Sequence, residues 1–196
     1  MLLHKVSVAG ALLLGIAFVG GCSSLEIKYK PTTPAGAATR VSVGLRVNDV
    51  RPLEKGRETG RRVGQVRGAV GIPQGVDDKN PNVAPQTVGD ATSDALRRSG
   101  VGVQNGGAKT LVVTIKEYWM DGYMGYAAKI LVVYELMDAS GRAVWTAEVK
   151  GGAGGNSMFK SPHTLALNLY TRALTELSTN AGQQFASPAF QQALAM

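Results

Sequence analysis

The sequence has few of the residues that usually carry chemistry. Its 196 residues include one Cys and two His, which excludes a disulfide scaffold and a zinc site built on thiolates. Only His163 lies beyond the first few residues, and no HExxH pair accompanies it. We therefore expect no metal and no cofactor. Acidic side chains are also in the minority, with 14 Asp and Glu against 21 Lys and Arg and a formal net charge of +7.

Long apolar runs are equally scarce, and the one that stands out is at the amino terminus. It extends from Val6 to Val19 after the basic residue Lys5, and it is too short to span a bilayer comfortably. This pattern is typical of a signal peptide. An ordinary secretory signal followed by a chance Cys, or an uncleaved anchor helix, is the alternative interpretation.

The end of this run has a motif of its own. Val19-Gly20-Gly21-Cys22 resembles the lipobox of bacterial lipoproteins. The resemblance implies that residues 1–21 are removed and that Cys22 carries lipid on its sulfur and on the new amino group, with acyl chains of the palmitate type. Ser23 follows, whereas lipoproteins kept in the inner membrane usually have Asp there. The resemblance therefore implies an anchor in the outer membrane, on its periplasmic face.

The segment after Cys22 contains Pro, Thr, Ala and Gly without a clear period. This composition favours a tether over residues 22–39. We expect the folded domain over residues 40–182 and a carboxyl-terminal tail over residues 183–196, in which Ser187-Pro188 is able to start a short helix.

The domain itself shows alternation typical of strands and four-residue spacing typical of helices. Strands are predicted at 41–47, 101–104, 110–118, 127–137 and 143–150, with a turn at 138–141 between the last two. A helix is predicted with inward positions Val88, Ala91, Ala95 and Leu96, ending before Gly100. A second helix begins at Ser161-Pro162. Residues 53–82 are interpreted as a long loop with a possible short strand at 63–70.

This order of elements predicts the fold class. Two helices packed on one face of a mixed, mostly antiparallel sheet would make an α+β domain. The glycines from Gly151 to Asn156 lack the features of a phosphate-binding loop, and we interpret them as a flexible link between the last strand and the last helix.

No catalytic constellation emerges from the spacing. The carboxylates are scattered, and Glu135 and Glu148 are expected on the solvent side of adjacent strands. We therefore expect a protein that is not an enzyme. An envelope hydrolase or transferase that uses His163 or a carboxylate pair is the alternative.

Two sets of residues stand out as candidate contact surfaces. A basic set suits an anionic membrane surface or an acidic partner, and nucleic acid is excluded by export. A second set, aromatic and Met side chains around an Asp-Gly pair, suits a protein partner. The alternatives are a solvated loop for the first set and aromatics folded back over the sheet for the second. The basic set is Arg51, Lys55, Arg57, Arg61, Arg62 and Arg67, and the aromatic set is Tyr118, Trp119, Met120, Tyr123, Met124 and Tyr126.

Several stretches together resemble YajG-like bacterial lipoproteins. These are the lipobox, the strand from Val41 that runs into Asn48-Asp49-Val50-Arg51-Pro52, the helix ending at 96–101, the strand at 111–115 and the closing hairpin. The resemblance implies an envelope lipoprotein without an assigned activity. We expect a non-enzymatic binding or adaptor module, with an accessory lipoprotein of a transport or secretion complex as an alternative. The oligomeric state stays open.

Overall fold

The computed structural model describes residues 25–34, 39, 41–55, 59–67, 72–122, 125–155 and 161–196. The predicted signal peptide, Cys22, Arg57, Tyr123 and Met124 lie outside the described residues. The elements in chain order are β1 (Val41–Asp49), a 3-10 turn (Leu53–Lys55), β2 (Arg62–Arg67), β3 (Pro73–Asp77), α1 (Val83–Arg98), β4 (Val101–Val103), β5 (Thr110–Gly122), β6 (Tyr126–Met137), β7 (Ala143–Gly155), α2 (Pro162–Phe185) and α3 (Pro188–Ala195).

Strand β5 organises the sheet because it has strands on both edges. One edge pairs along its length with β6, which in turn pairs with β7. The other edge takes two strands end to end: β1 pairs with residues 110–115 and β2 with residues 120–122, both in parallel. Strand β4 lies outside β1, and β3 lies outside β2. The seven strands form one mixed sheet.

The predicted layout of two helices on one face of a mostly antiparallel sheet is wrong. The described part of the chain has three α-helices, and three of the six strand pairings are parallel. Helix α1 packs on β1, β4 and β5, α2 packs on β6 and β7, and α3 contacts β7 and α2. The prediction of a mixed sheet underestimated the share of parallel pairings, because parallel neighbours need long connections, which leave no short-range turn signal.

The two long helices agree with their sequence signals. In α1, Val88, Ala91, Ala95 and Leu96 are all fully buried, and Gly100 ends the helix with φ of 78°. Helix α2 begins where predicted, since the Ser161 side chain accepts a hydrogen bond from the Thr164 backbone N–H. Both helices are therefore specified by local patterns.

The region interpreted as a long loop contains the β2–β3 hairpin. Strands β2 and β3 pair in antiparallel fashion, and Val63, Val66 and Val76 turn into the core. The short alternation around Val63 and Val66 was the only signal, because Gly and Arg interrupt the apolar pattern. The hairpin is held by its pairing with β5.

The glycines after Lys150 are part of β7 and not a flexible link. Strand β7 continues to Gly155, paired with β6 over its whole length. A Cβ on Gly151 would lie 2.2 Å from the carbonyl oxygen of Ala173 and 2.7 Å from Cβ of Leu177. Glycine is required here because the backbone of α2 approaches the strand closely.

Helix α2 also covers part of the outer edge of β7. Among the described strands β7 pairs only with β6, so its other edge has no strand beside it. Three side chains four residues apart on α2 bond to backbone groups of that edge. Asn180 Nδ2 donates to the Lys150 carbonyl at 2.9 Å, the Gly152 N–H donates to Glu176 Oε2 at 3.0 Å, and Arg172 Nη1 donates to the Gly154 carbonyl at 3.1 Å.

The closing hairpin has the predicted turn. Gly141 adopts φ of 79°, and its N–H donates to the Asp138 carbonyl at 2.9 Å. Hydrogen bonds from Ser140 and Arg142 lower the pKa of Asp138 to about 2. The preceding hairpin differs from the prediction, because β5 continues through Asp121 to Gly122.

Candidate functional site

The segment before β1 is packed on the domain. Leu25, Ile27 and Tyr29 are buried, with 2%, 5% and 8% of their surface exposed, and the intervening Glu26 and Lys28 face solvent. The predicted tether therefore does not describe residues 25–33, which pack on the domain, and the predicted start of the domain near Arg40 is too late. The alternation Leu25-Glu26-Ile27-Lys28-Tyr29 was the available signal, since apolar residues at every second position are typical of a half-buried strand.

Backbone hydrogen bonds fix the beginning of this segment beside the end of β3. The Leu25 N–H donates to the Asp77 carbonyl at 2.9 Å, and the Lys79 N–H donates to the Leu25 carbonyl at 2.8 Å. The Ile27 N–H donates to Asp78 Oδ2 at 2.7 Å, and burial is the main reason why the pKa of Asp78 is raised. Leu25 thus extends the sheet beyond β3 by one bridge.

The carboxylate of Asp94 holds the other end of the segment. It is fully buried on α1 and accepts the Tyr29 hydroxyl at 2.7 Å and the Thr33 backbone N–H at 2.9 Å. Thr32 donates to it from both its N–H and its hydroxyl, at 3.2 and 2.9 Å. Burial alone would raise the pKa of Asp94, but these hydrogen bonds outweigh it and hold the pKa well below its ordinary value.

Arg98 connects this carboxylate to the second helix. Its Nη1 donates to Asp94 Oδ2 at 2.7 Å, one turn away on α1, and its Nη2 donates to the Ser178 carbonyl and hydroxyl at 2.6 and 2.8 Å. The Ser178 hydroxyl in turn donates to the Ala91 carbonyl at 2.9 Å. Segment 25–33, α1 and α2 are therefore joined by one polar network, which we call the Asp94 clasp.

Arg51 fills the gap between β1 and β2 on the edge of β5. It was predicted to contact an anionic surface, but it is fully buried. Its guanidinium is paired with Asp49, with Nη2 to Oδ2 at 2.7 Å, and Nη1 donates at 3.3 Å to the carbonyls of Arg62 and Tyr118. Arg51 therefore has a structural role. Its guanidinium bonds to carbonyls in the gap between β1 and β2, where β5 has no partner on that edge among the described strands.

The rest of the predicted basic set is dispersed. Arg62 pairs with Asp77 across the hairpin, and Arg61 and Arg67 are exposed at opposite ends of β2. Lys55 ends the 3-10 turn. A contact between these residues and an anionic surface stays a prediction, and the burial of Arg51 removes that residue from it.

The aromatic set is divided between the core and the surface. Tyr118 and Met120 are fully buried, and the Tyr118 ring stacks on Tyr170 with centroids 4.7 Å apart. Trp119 and Tyr126 are half-buried. The aromatics partly fold back into the core because β5 continues through these positions, so alternate side chains turn inward. Trp119 and Tyr126 are the described members with surface for a partner.

The candidates for catalysis lie on different elements, and the two carboxylates are diagonal neighbours on β6 and β7. His163 lies in the first turn of α2, while Glu148 pairs with Val133 and Glu135 with Thr146, a diagonal arrangement on adjacent strands. Within the described ranges, no group of three His, Cys, Asp or Glu is placed to hold a metal ion. In those same ranges, none of the helices combines the length and the apolar content needed to cross a bilayer.

No family model matches the sequence, and no curated protein matches it. Solved structures do. Protein XCC0632 from Xanthomonas campestris, described by the family model DUF330, has a TM-score of 0.59 and 18% identity, covering 88% of this chain and 97% of its own. The structure of an uncharacterized protein has a TM-score of 0.49 and 15% identity, covering 82% of this chain and 99% of its own. A minor lipoprotein from Acinetobacter baumannii has a TM-score of 0.44 and 10% identity, covering 74% of this chain and 91% of its own.

The likeness to the Xanthomonas protein shows a shared fold alone, because its identity of 18% is too low to transfer a role. The other two have TM-scores below 0.5, and nothing further is argued from them. The resemblance to YajG-like lipoproteins stays a prediction.

Proposed function

We propose that this chain is a lipid-anchored lipoprotein of the bacterial envelope, held on the periplasmic face of the outer membrane through Cys22. It acts there as a non-enzymatic binding or adaptor module. The observation that carries the proposal is the position of the lipobox relative to the fold. Residues 19–22 end two residues before Leu25, the first described residue, which is buried, so cleavage before Cys22 leaves every described residue in the mature chain.

The chemistry of the sulfur supports the same conclusion. A lone Cys in an exported protein is exposed to oxidation as a free thiol, whereas a thioether is inert. Three acyl chains, each contributing about 0.8 kcal/mol per buried methylene, hold far more strongly than one myristoyl chain. The anchor is therefore permanent on the time scale of the protein.

The adaptor role is supported by the surface next to the β5–β6 turn. Trp119 keeps part of its ring exposed, and aromatic residues of this kind contribute strongly at protein interfaces. Tyr126 is also half-buried, but it pairs with Gly122 and lies on the opposite face of the sheet. Trp119 pairs with Lys129 on β6, so the ring and a cation lie side by side on one face of the sheet. A partner with an acidic and apolar surface suits this pair.

The anchor is tested by intact-mass measurement of the protein from a Gram-negative envelope, with Cys22→Ser as the control. The proposal expects a mature chain that starts at Cys22 with added diacylglyceryl and acyl mass, found in the outer-membrane fraction. The serine variant should keep its signal peptide or be released. An unmodified thiol on a chain that retains Met1 would refute the anchor.

The adaptor role is tested by pull-down from detergent-solubilised envelopes with the wild type, Trp119→Ala and Lys129→Ala. A partner captured by the wild type and lost with Trp119→Ala supports the role. Identical partner sets for the wild type and Trp119→Ala would count against this surface. Recovery of one stoichiometric partner would favour the accessory role in a transport or secretion complex.

A further inference from the structure

We infer that the domain lies directly against the membrane that holds its anchor, with the surface around Leu25 facing anionic phospholipid headgroups. This inference rests on the proposed lipid anchor at Cys22 and adds to it the orientation of the domain and the residues that contact lipid. We call the exposed residues Arg61 and Lys79, on either side of the Leu25 bridge, the anchor-side cations.

The first argument is the length of chain available. Only Ser23 and Ser24 separate Cys22 from Leu25. A chain extends by at most about 3.6 Å per residue, so Leu25 lies within about 11 Å of the lipidated residue whatever conformation the intervening residues adopt. With the tether predicted from sequence, which continued to residue 39, the same limit would have been about six times larger.

The second argument is that Leu25 cannot move away from the domain without loss of buried contacts. Its backbone donates to Asp77 and accepts from Lys79, and its side chain is 2% exposed. The Asp94 clasp holds Tyr29, Thr32 and Thr33 further along the same segment. The short distance between lipid and domain is therefore a property of the folded protein.

The third argument is the charge around this point. Asp78 is the partner of Leu25 in the bridge. The Lys79 N–H donates to the Leu25 carbonyl, and the Asp78 N–H donates to the Arg61 carbonyl at 2.9 Å, so each cation is one backbone hydrogen bond from a bridge residue. The neighbouring charges partly offset one another, since Arg62 pairs with Asp77, Lys28 pairs with Glu26, and the buried Asp78 carboxylate opposes one of the two anchor-side cations. A positive balance remains at the anchor side.

The contact is effective because the length of chain between the anchor and the domain is comparable to the range of the electrostatic attraction. The electrostatic attraction of an anionic surface falls off within roughly 8 to 10 Å at physiological salt. The limit of about 11 Å between Leu25 and Cys22 keeps the anchor-side cations near that range. Each cation there raises the ratio of membrane-contacting to other orientations of the domain by about fivefold. The partner is therefore the anionic headgroup layer itself.

The opposite end of the sheet is the natural reference point. Gly64 on β2 pairs with Met120 on β5, whereas Met137 pairs with Thr110, and the turn containing Ser140 lies beyond that pair. Arg61 lies three residues before Gly64, at about the level of Glu117, so at about 3.3 Å per residue the seven residues from there to Thr110 separate the two levels by roughly 23 Å. A label at Ser140 reports on a surface remote from the anchor.

The experiment uses the full lipidated chain. Lipidation consumes its single Cys, so an engineered Cys provides the one free thiol for labelling. Thr59→Cys, two residues from Arg61, and Ser140→Cys are labelled with a fluorophore. The proteins are reconstituted in vesicles of phosphatidylcholine and phosphatidylglycerol that carry a quencher on the lipid headgroup. We expect strong quenching at position 59 and weak quenching at position 140.

Two further variants separate the arguments. A long Gly/Ser insertion between Ser24 and Leu25 should abolish quenching at position 59 in vesicles of phosphatidylcholine alone. Arg61→Gln with Lys79→Gln should remove the increase in quenching that phosphatidylglycerol causes, whereas Arg142→Gln at the far end should leave it intact. Equal quenching at positions 59 and 140, or no effect of the insertion, would overturn the inference.

Failure of the anchor gives a different result. A chain without lipid mass does not float with vesicles, and this is scored before any quenching is measured. A chain that floats and carries lipid but is quenched equally at both labels would leave the anchor in place and refute the orientation.

Discussion

The Tyr29 hydroxyl donates a 2.7 Å hydrogen bond to the buried carboxylate of Asp94, although the two residues are 65 positions apart in the chain. Arg98 donates to the same oxygen from one turn further along α1. A segment that sequence composition assigned to a tether is thereby joined to the core. The distance between the domain and its proposed anchor depends on this contact.

Asp94→Asn should destabilise the protein by about 2–3 kcal/mol at neutral pH, because it weakens several hydrogen bonds to a charged acceptor. The pKa of Asp94 is depressed in the folded state, so its contribution is present above the ordinary value of 3.8 and is lost as the pH falls below it. Chemical unfolding of wild type and variant from pH 7 to pH 3 measures this. The difference should shrink toward pH 3, and a constant difference would contradict it.

Arg51→Ala should cost about 3–5 kcal/mol, since it leaves the Asp49 carboxylate without its buried partner. Arg46→Ala is the matched control, because Arg46 is an exposed arginine on β1 and its removal should change stability by less than about 0.5 kcal/mol. Urea midpoints of both variants test this. Equal losses would show that Arg51 acts only as a surface charge.

Gly151→Ala should destabilise by about 1–3 kcal/mol, because the added Cβ would meet the backbone of α2 at 2.2 Å. At the next residue, a Cβ on Gly152 meets its nearest atom only at 3.7 Å. Gly152→Ala should therefore be neutral or stabilising by up to about 1 kcal/mol. Thermal unfolding of the two variants shows whether Gly151 is needed for close packing or only for chain flexibility. Similar midpoints would restore the interpretation of a flexible link.

Removal of the three side chains that cover the edge of β7 should promote self-association. The triple change Arg172→Ala, Glu176→Ala and Asn180→Ala frees the backbone groups of Lys150, Gly152 and Gly154 for pairing with another strand. Light scattering after size exclusion should show larger species at rising concentration.

The neighbouring row on α2 provides the control for this experiment. Thr171, Thr175 and Thr179 have the same spacing, but their hydroxyls donate to carbonyls of their own helix. Their replacement by Ala should leave the size distribution at the wild-type value. Aggregation of both triple variants would point to general destabilisation and contradict the role of the edge.

Part of this architecture was accessible from local patterns. The cap at Ser161, the end of α1 at Gly100 and the turn at Gly141 each depend on a few neighbouring residues, so their signals lie within one short stretch of sequence. The candidate site was less accessible. The alternation from Leu25 to Tyr29 was present, but nothing near it indicated Asp94 as its partner.

The two long helices and the closing turn follow from patterns within short stretches of the chain, because capping and periodicity are local properties. The burial of Arg51, the close packing at Gly151 and the inward orientation of Tyr118 follow from contacts between distant parts of the chain. These outcomes depend on which strands share the edges of β5 and on the register of each pair. Register is set by contacts between residues far apart in the chain, and a single sequence carries no short-range mark of it.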